Sequence, residues 1–158
     1  HPNIRRIDVE SAEEMYEEAR RAYTDADAGI LCAAVADFTP DHTADHKIKR
    51  GKDGMTIQLK PTKDIAASLG ATKKEGQVLV GFALETNDEQ QNAKGKLERK
   101  NFDFIVLNSL NDKGAGFRVD TNKISIIDRQ DTTSYPLKNK SEVAKDIIDR
   151  LVQTLNKN

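Results

Sequence analysis

Residues 78–108, VLVGFALETNDEQQNAKGKLERKNFDFIVLN, predict a strand, a helix and a second strand. Residues 78–83 and 104–107 are short, continuous apolar runs, as expected of strands buried on both faces. Residues 88–100 between them are polar with a thin apolar stripe, which is typical of a helix on the surface. The whole stretch has the length of a βαβ unit, whose crossover makes the two strands parallel.

Upstream of this unit, the sequence predicts further alternation of helices and strands. Ser11 and Glu14 form a capping-box pattern at the start of a helix over 11–23. The apolar run GILCAAVA, residues 29–36, predicts another strand buried on both faces. Residues 55–59 alternate as in a half-buried strand, and residues 64–69 predict a short helix that ends at Gly70.

Downstream, residues 123–128 predict a late strand whose partner is expected near Ser134. Residues 141–155 predict a helix with one wide apolar face. The alternation indicates an α/β fold, a three-layer, Rossmann-like, mostly parallel sheet with helices on both faces and a late antiparallel strand pair. We expect residues 1–158 to form one domain.

The start of the sequence differs from that of a usual nucleotide-binding α/β domain. Such a domain opens with a strand, a glycine-rich turn and a helix. This sequence begins with a strand-like segment, residues 4–9, followed directly by the first helix. We therefore expect the domain to be incomplete at its N-terminal end.

Composition favours a globular chain, with 37% hydrophobic and 32% charged residues. The 25 basic and 26 acidic residues give a net charge of −1 at pH 7, so nucleic acid and membrane partners are not expected. No apolar run approaches a membrane span and no secretory signal is visible, so we expect a cytoplasmic protein. The single cysteine, Cys32, excludes an intrachain disulfide, and inside an apolar strand it is expected to act as a small hydrophobic residue.

Polar residues follow each predicted buried strand. Asp37 follows the first strand, Glu85 to Asn87 follow the second, and Asn108 follows the third. The carboxyl ends of parallel strands form the ligand-binding edge of an open sheet. Because surface loops are polar in general, this pattern by itself fits both a binding site and an ordinary surface.

Three basic residues are candidates for anion binding. Lys47 begins a cluster, KIKR, in a loop flanked by glycines that could close over phosphates or simply be a solvated charge run. Lys96 and Lys100 stand four residues apart on one helix face, where like charges repel mildly unless an anion binds between them. Lysines at the edge of a core are the alternative interpretation.

Other catalytic and metal-binding patterns have little support. The pairs Asp41-His42 and Asp45-His46 have a spacing too loose to predict a metal site, so surface polar residues are the default interpretation. The sequence contains neither a Walker motif nor a GxGxxG fingerprint.

Several segments, in order, resemble phosphopantothenate–cysteine ligases. The similar segments are AAVADFTP (33–40), KIKR (47–50), LKPTKDI (59–65), VGFALET (80–86), the helix residues Ala93, Lys96, Leu97 and Lys100 with Asn101, Asp103 and Asn108, and GAGF (114–117) followed by Asp120, Asn122 and Lys123. Each motif alone is weak, but together they cover nearly the whole chain. In bacteria such a ligase is usually the second half of a bifunctional protein whose first half is a flavin-dependent decarboxylase.

The resemblance implies a two-step ligation that uses CTP and Mg²⁺. The carboxylate of 4′-phosphopantothenate attacks the α-phosphate, which gives an acyl-cytidylate and pyrophosphate. Cysteine then attacks the activated carbonyl and CMP leaves. Members of this family commonly form homodimers, and residues 55–59 and 123–128 are candidate edge strands for pairing.

The resemblance also implies site residues, position by position. The nucleotide-binding residues would be Leu31, Cys32, Ala33, Asp37, Lys47, Thr62, Lys63, Asp64, Ile65, Phe82, Lys96 and Lys100. Lys47 would also be catalytic, and Ala34 and Asn108 would bind the substrate, whereas the residues that hold the metal stay unknown. Lys63 stands where the family usually has proline.

Two alternatives to an active ligase remain open. The family's glycine-rich turn and an asparagine needed for the second step lie outside this sequence, so we expect the chain alone not to complete the reaction. It could then be a non-catalytic nucleotide-binding module or an inactive fragment of a ligase. A generic α/β domain for another phosphate ligand is the third interpretation, and the preference for CTP over ATP depends on the resemblance only.

Overall fold

The structure is a computed structural model that describes residues 1–50, 54–85, 87–109 and 119–157. Its helices are interspersed with strands along the chain. In order they are α1 (Ala12–Tyr23), β1 (Ala28–Leu31), β2 (Phe38–Pro40), β3 (Leu59–Pro61), α2 (Ile65–Thr72), β4 (Val78–Glu85), α3 (Glu89–Arg99), β5 (Phe104–Ser109), β6 (Thr121–Asn122), β7 (Ile124–Asp128), β8 (Thr132–Ser134), β9 (Lys138–Asn139) and α4 (Lys140–Leu155).

The main sheet has five strands in the order β1-β4-β5-β7-β8. β1, β4 and β5 run parallel, and α3 is the crossover between β4 and β5, which confirms the predicted βαβ unit. β7 is antiparallel to both β5 and β8, and Ser125 lies opposite Ser134. The late antiparallel pair is therefore confirmed. The remaining strands form two small antiparallel sheets, β2-β3 and β6-β9.

Helices cover both faces of the main sheet, so the predicted three-layer arrangement is confirmed. On one face α1, α2 and α3 pack against alternate strand residues such as Leu79 and Ile105. On the other face α4 packs against the intervening residues, such as Val80 and Val106. This alternation follows from the two-residue period of the strands.

The predicted end of α2 at Gly70 is wrong, because the helix continues to Thr72. A Cβ atom on Gly70 would lie 2.0 Å from the carbonyl oxygen of Lys100. Glycine therefore serves the close approach of α2 to the end of α3 rather than a helix stop. This contact brings Lys100 towards α2.

Three strand predictions also need correction. β1 ends at Leu31 instead of residue 36, and Ile30 is 40% exposed because β1 lies at the edge of the described sheet. Of residues 55–59 only Leu59 belongs to a strand, and it is exposed, so a half-buried strand there is wrong. Residues 4–9 form no strand, since they pair with no neighbour in the described part of the chain.

The wide apolar face of α4 is only partly buried. Val143, Ile147 and Leu151 pack on the sheet, whereas Ile148 and Val152 are exposed. Within the described ranges, no helix combines the length and the apolar character needed to cross a membrane.

Candidate functional site

A cavity of about 410 Å³ lies between the carboxyl end of β1 and the N-terminal end of α2. Its volume is within the range of small-molecule sites. The walls come from α1, from the segment after β1, from the start of α2 and from the end of α3. The lining residues are Met15, Ile30, Leu31, Cys32, Ala33, Val35, Ala36, Asp37, Thr62, Lys63, Asp64, Ile65, Ala66 and Lys100.

Hydrogen bonds hold the two main walls together. The Thr62 hydroxyl donates to the Ala36 carbonyl at 2.6 Å, and the Thr62 amide donates to the Asp37 carbonyl at 2.9 Å. The pairing of β2 with β3 begins at the next residue, with Phe38 opposite Pro61. The segment after β1 is thus fixed against the segment that leads into α2.

Asp64 connects α2 to the end of α3 at the cavity wall. Its carboxylate caps α2 by accepting from the Ala67 amide at 3.0 Å, and it pairs with the Lys100 ammonium at 3.1 Å. Burial alone would raise the pKa of Asp64, but the amide hydrogen bond and Lys100 outweigh burial and lower that pKa. The carboxylate therefore stays charged and holds the Lys100 ammonium at the wall.

Lys96 has a comparable partner one helical turn earlier. Its ammonium donates to the Glu85 carboxylate at 2.6 Å, and the Asn92 amide donates to the same carboxylate at 3.4 Å. Each lysine of the predicted pair thus has its own carboxylate. These two ion pairs offset the mild repulsion that the sequence pattern predicted between Lys96 and Lys100.

Lys63 lines the cavity, but its ammonium is anchored to α1. The ammonium contacts the carboxylates of Glu13 and Glu17 and lies 4.5 Å from the centre of the Tyr16 ring. The hydrogen bond to Glu13 is the main reason that the pKa of Lys63 is raised. The side chain therefore connects the wall segment to α1.

The structure brings most of the predicted nucleotide-binding residues together. Those that line the cavity are Leu31, Cys32, Ala33, Asp37, Thr62, Lys63, Asp64, Ile65 and Lys100. Cys32 follows β1 and is exposed, so its predicted place as a buried strand residue is wrong. Its place in the wall agrees with the site that the resemblance implies.

Other predicted residues lie away from the cavity wall. Phe82 packs on the opposite face of the sheet, against the core beneath α4. Lys47 is exposed in the connection between β2 and β3, and Ala34 is exposed after β1. Asn108, near the end of β5, accepts a hydrogen bond from the Asn122 amide at 3.0 Å. Their roles stay predictions, and residues 114–117 and Thr86 are outside the described ranges.

Sequence reasoning missed the partners of the lysines. The sequence pattern marks Glu85 only as a polar residue after a strand and as part of the segment 80–86, and it does not single out Asn92. The spacing from Glu85 to Lys96, from the end of a strand to the third turn of the following helix, could have indicated their contact. Among the residues that the structure describes, no three His, Cys, Asp or Glu side chains are grouped closely enough to hold a metal ion.

Comparison with known proteins places this architecture in a family. Residues 1–155 match the model of the DNA/pantothenate metabolism flavoprotein C-terminal domain. The chain is 44% identical over 146 residues to the coenzyme A biosynthesis bifunctional protein CoaBC of Bacillus subtilis, covering 92% of this chain and 36% of that protein. It is 57% identical over 151 residues to a cysteine/cysteine sulfinic acid decarboxylase of an unknown prokaryotic organism, covering 95% of this chain and 42% of that protein.

A solved structure agrees with the sequence comparisons. The crystal structure of the C-terminal domain of a CoaBC protein superposes with a TM-score of 0.78 at 32% identity, over 96% of this chain and 66% of that chain. The chain thus spans less than half the length of both curated relatives. It belongs to the family of DNA/pantothenate metabolism flavoprotein C-terminal domains.

Proposed function

We propose that this chain is the nucleotide-binding part of a phosphopantothenate–cysteine ligase of coenzyme A biosynthesis. The proposal is supported by its similarity to CoaBC proteins, whose name states a role in that pathway. In the proposed reaction the carboxylate of 4′-phosphopantothenate attacks the α-phosphate of CTP and expels pyrophosphate. The cysteine amine then attacks the acyl carbon, loses a proton and expels CMP.

One observation carries the proposal. Nine of the twelve residues that the resemblance implies for the nucleotide come from three separate parts of the sequence, 31–37, 62–65 and Lys100, and line a single cavity, whereas Lys47, Phe82 and Lys96 are not among its lining residues. The cavity lies at the carboxyl end of a parallel strand, where open α/β sheets bind ligands.

The wall offers charges suited to a nucleotide with Mg²⁺. Mg²⁺ in such sites is held by phosphate oxygens and one or two carboxylates. Asp37 and Asp64 are the carboxylates of the wall, and Asp64 is paired with Lys100. Asp37 would therefore hold the cation, while Lys100 and the nearby Lys96 would attract phosphates. Lys47, in the exposed loop, would close over them as the catalytic lysine.

A homodimer is part of the proposal. The β2–β3 hairpin exposes apolar side chains at Phe38, Ile57 and Leu59. Its exposed edges and apolar side chains suit pairing with a second copy. β7, in the predicted edge strand 123–128, cannot pair with a second copy, because β5 and β8 occupy both of its edges. A Leu59→Lys variant should shift the chain towards monomer in light scattering, whereas an unchanged mass would exclude this hairpin.

The single domain and the cytoplasmic location stay predictions as well. They follow from the composition and the apolar pattern of the sequence alone.

A second candidate function comes from the relative named for decarboxylation of cysteine or cysteine sulfinic acid. The segment similar to this chain makes up 42% of that protein. An assay of a longer protein containing this chain would separate the candidates, since decarboxylation releases CO₂ from cysteine and ligation releases CMP. A non-catalytic module would bind CTP and release neither CMP nor pyrophosphate.

Calorimetric titration tests the proposed nucleotide site. CTP with Mg²⁺ should bind the chain more tightly than ATP, and Lys100→Met should weaken CTP binding by about tenfold through loss of one charge-assisted contact. Lys94→Met on the exposed side of the same helix is the matched control and should bind as the wild type does. Absence of binding by either nucleotide, or an unaffected Lys100→Met variant, would contradict the proposal.

A further inference from the structure

Glu85 is the last residue of β4 and the partner of Lys96 on α3. The Lys96 side chain is 36% exposed, whereas that of Glu85 is only 14% exposed. The Glu85 side chain is therefore the more buried of the two, and the Lys96 side chain is partly accessible to solvent.

We propose that Glu85 is a positioning residue that fixes the Lys96 ammonium for contact with a phosphate of the bound nucleotide. The inference rests on the proposed function, because it assumes that a nucleotide binds at this edge of the sheet. Glu85 itself would not touch the nucleotide.

The chemistry of lysine supports this role. An ammonium has three N–H donors, and the 2.6 Å hydrogen bond to Glu85 uses one of them. Within the described residues this ammonium has no second acceptor, so its other donors are available to a ligand. A free lysine side chain has many rotamers, and binding a phosphate would require it to lose them. The ion pair with Glu85 removes much of that freedom before the nucleotide arrives.

Glu85 is itself held in place. The Asn92 amide, from the first turns of α3, donates to the carboxylate at 3.4 Å and to the Asn87 carbonyl at 2.9 Å. These two hydrogen bonds connect Glu85 and Asn87 to α3. The Glu85–Lys96 pair differs from the Asp64–Lys100 pair, because Asp64 additionally caps α2. Changing Glu85 therefore tests the positioning of a lysine without removing a helix cap.

A double-mutant cycle on the affinity for CTP with Mg²⁺ tests the proposal. Glu85→Ala should weaken binding about tenfold, the usual cost of ordering one flexible side chain. Glu85→Gln should weaken it about threefold, because the amide oxygen still accepts from Lys96. In a Lys96→Met background, Glu85→Ala should change the affinity by less than about twofold, since the lysine to be positioned is gone.

Asp146→Asn on α4 is the matched control. It removes the acidic partner of Lys138 and should leave CTP binding unchanged. Circular dichroism and thermal melting establish that each variant is folded. If Glu85→Ala unfolds, the cycle is run with the isosteric Glu85→Gln.

The outcomes separate this inference from the proposed function. CTP binding that depends on Lys100 but is as tight, or tighter, in Glu85→Ala would overturn the positioning role alone. An equal loss in the Lys96→Met background would also overturn it, because Glu85 would then act without the lysine. Absence of CTP binding by the wild type would overturn both proposals.

Discussion

Gly70 offers a sharp test of how α2 and α3 are packed around the cavity. A Cβ atom at this position would lie 2.0 Å from the carbonyl oxygen of Lys100 and 2.8 Å from its carbonyl carbon. Both are backbone atoms, so Gly70→Ala can be accommodated only if α2 moves away from the end of α3. Such overpacking costs about 3 kcal/mol, and the better helix propensity of alanine offsets about 1 kcal/mol of that cost.

We therefore expect Gly70→Ala to lower the free energy of unfolding by about 2 kcal/mol, or the melting temperature by about 4–8 °C. Gly95→Ala in α3 is the matched control, because nothing lies within 4 Å of the added Cβ. It should raise the free energy of unfolding by up to about 1 kcal/mol. Urea unfolding followed by circular dichroism measures both. The reasoning is refuted if Gly70→Ala is as stable as the wild type or gains stability as Gly95→Ala does.

Three other predictions concern single side chains. Cys32 is the only cysteine of the sequence and lines the cavity. CTP at ten times its Kd should therefore slow the alkylation of Cys32 by iodoacetamide about tenfold. An unchanged alkylation rate would place the nucleotide elsewhere. Burial, and secondarily the charge of Asp103, raises the pKa of Tyr23 to about 12 from 10.0, so the free energy of unfolding should fall as pH rises from 10.0 to about 12. Urea unfolding of Tyr23→Phe should lack this fall in the free energy of unfolding. A variant whose stability declined above pH 10.0 as that of the wild type does would contradict the prediction. Lys63→Ala should lower the free energy of unfolding slightly, because it removes the ion pairs with α1. Roughly 0.5 M sodium chloride should reduce this loss by screening the charges. A loss of stability that does not depend on salt would argue against these ion pairs.

Local patterns predicted the central part of the fold well. The apolar runs of β4 and β5 and the polar helix between them have clear periods, and the capping box at Ser11 marks the start of α1. These features depend on neighbouring residues, which the sequence displays directly.

Tertiary contacts explain the errors. Gly70 is a packing residue because it meets Lys100, thirty positions later, and the sequence gives no sign of that meeting. The apolar run 29–36 predicts one buried strand, but its second half lines a cavity. Apolar composition by itself does not distinguish a core from the wall of a binding site.

The candidate site was predictable where its residues lie in contiguous motifs, as in 31–37 and 62–65. Its electrostatics were harder to predict, because the partners of the lysines come from other elements, and only the Glu85–Lys96 contact has a spacing that could have indicated it. Asp64 comes from the N-terminal end of α2, and Glu85 from the end of β4. Of the two like charges on α3, Lys100 lines the cavity, and the anion site that their spacing predicts stays a prediction.

The central claim is that the cavity beside β1 and α2 holds the nucleotide. Nitrogen-15 amide spectra recorded during titration with CTP and Mg²⁺ test it residue by residue. The account predicts that the shifts concentrate at 31–37, at 62–66 and around Lys100, and leave α4 unaffected. Shifts confined to α4, or no shifts at saturating CTP, would contradict it.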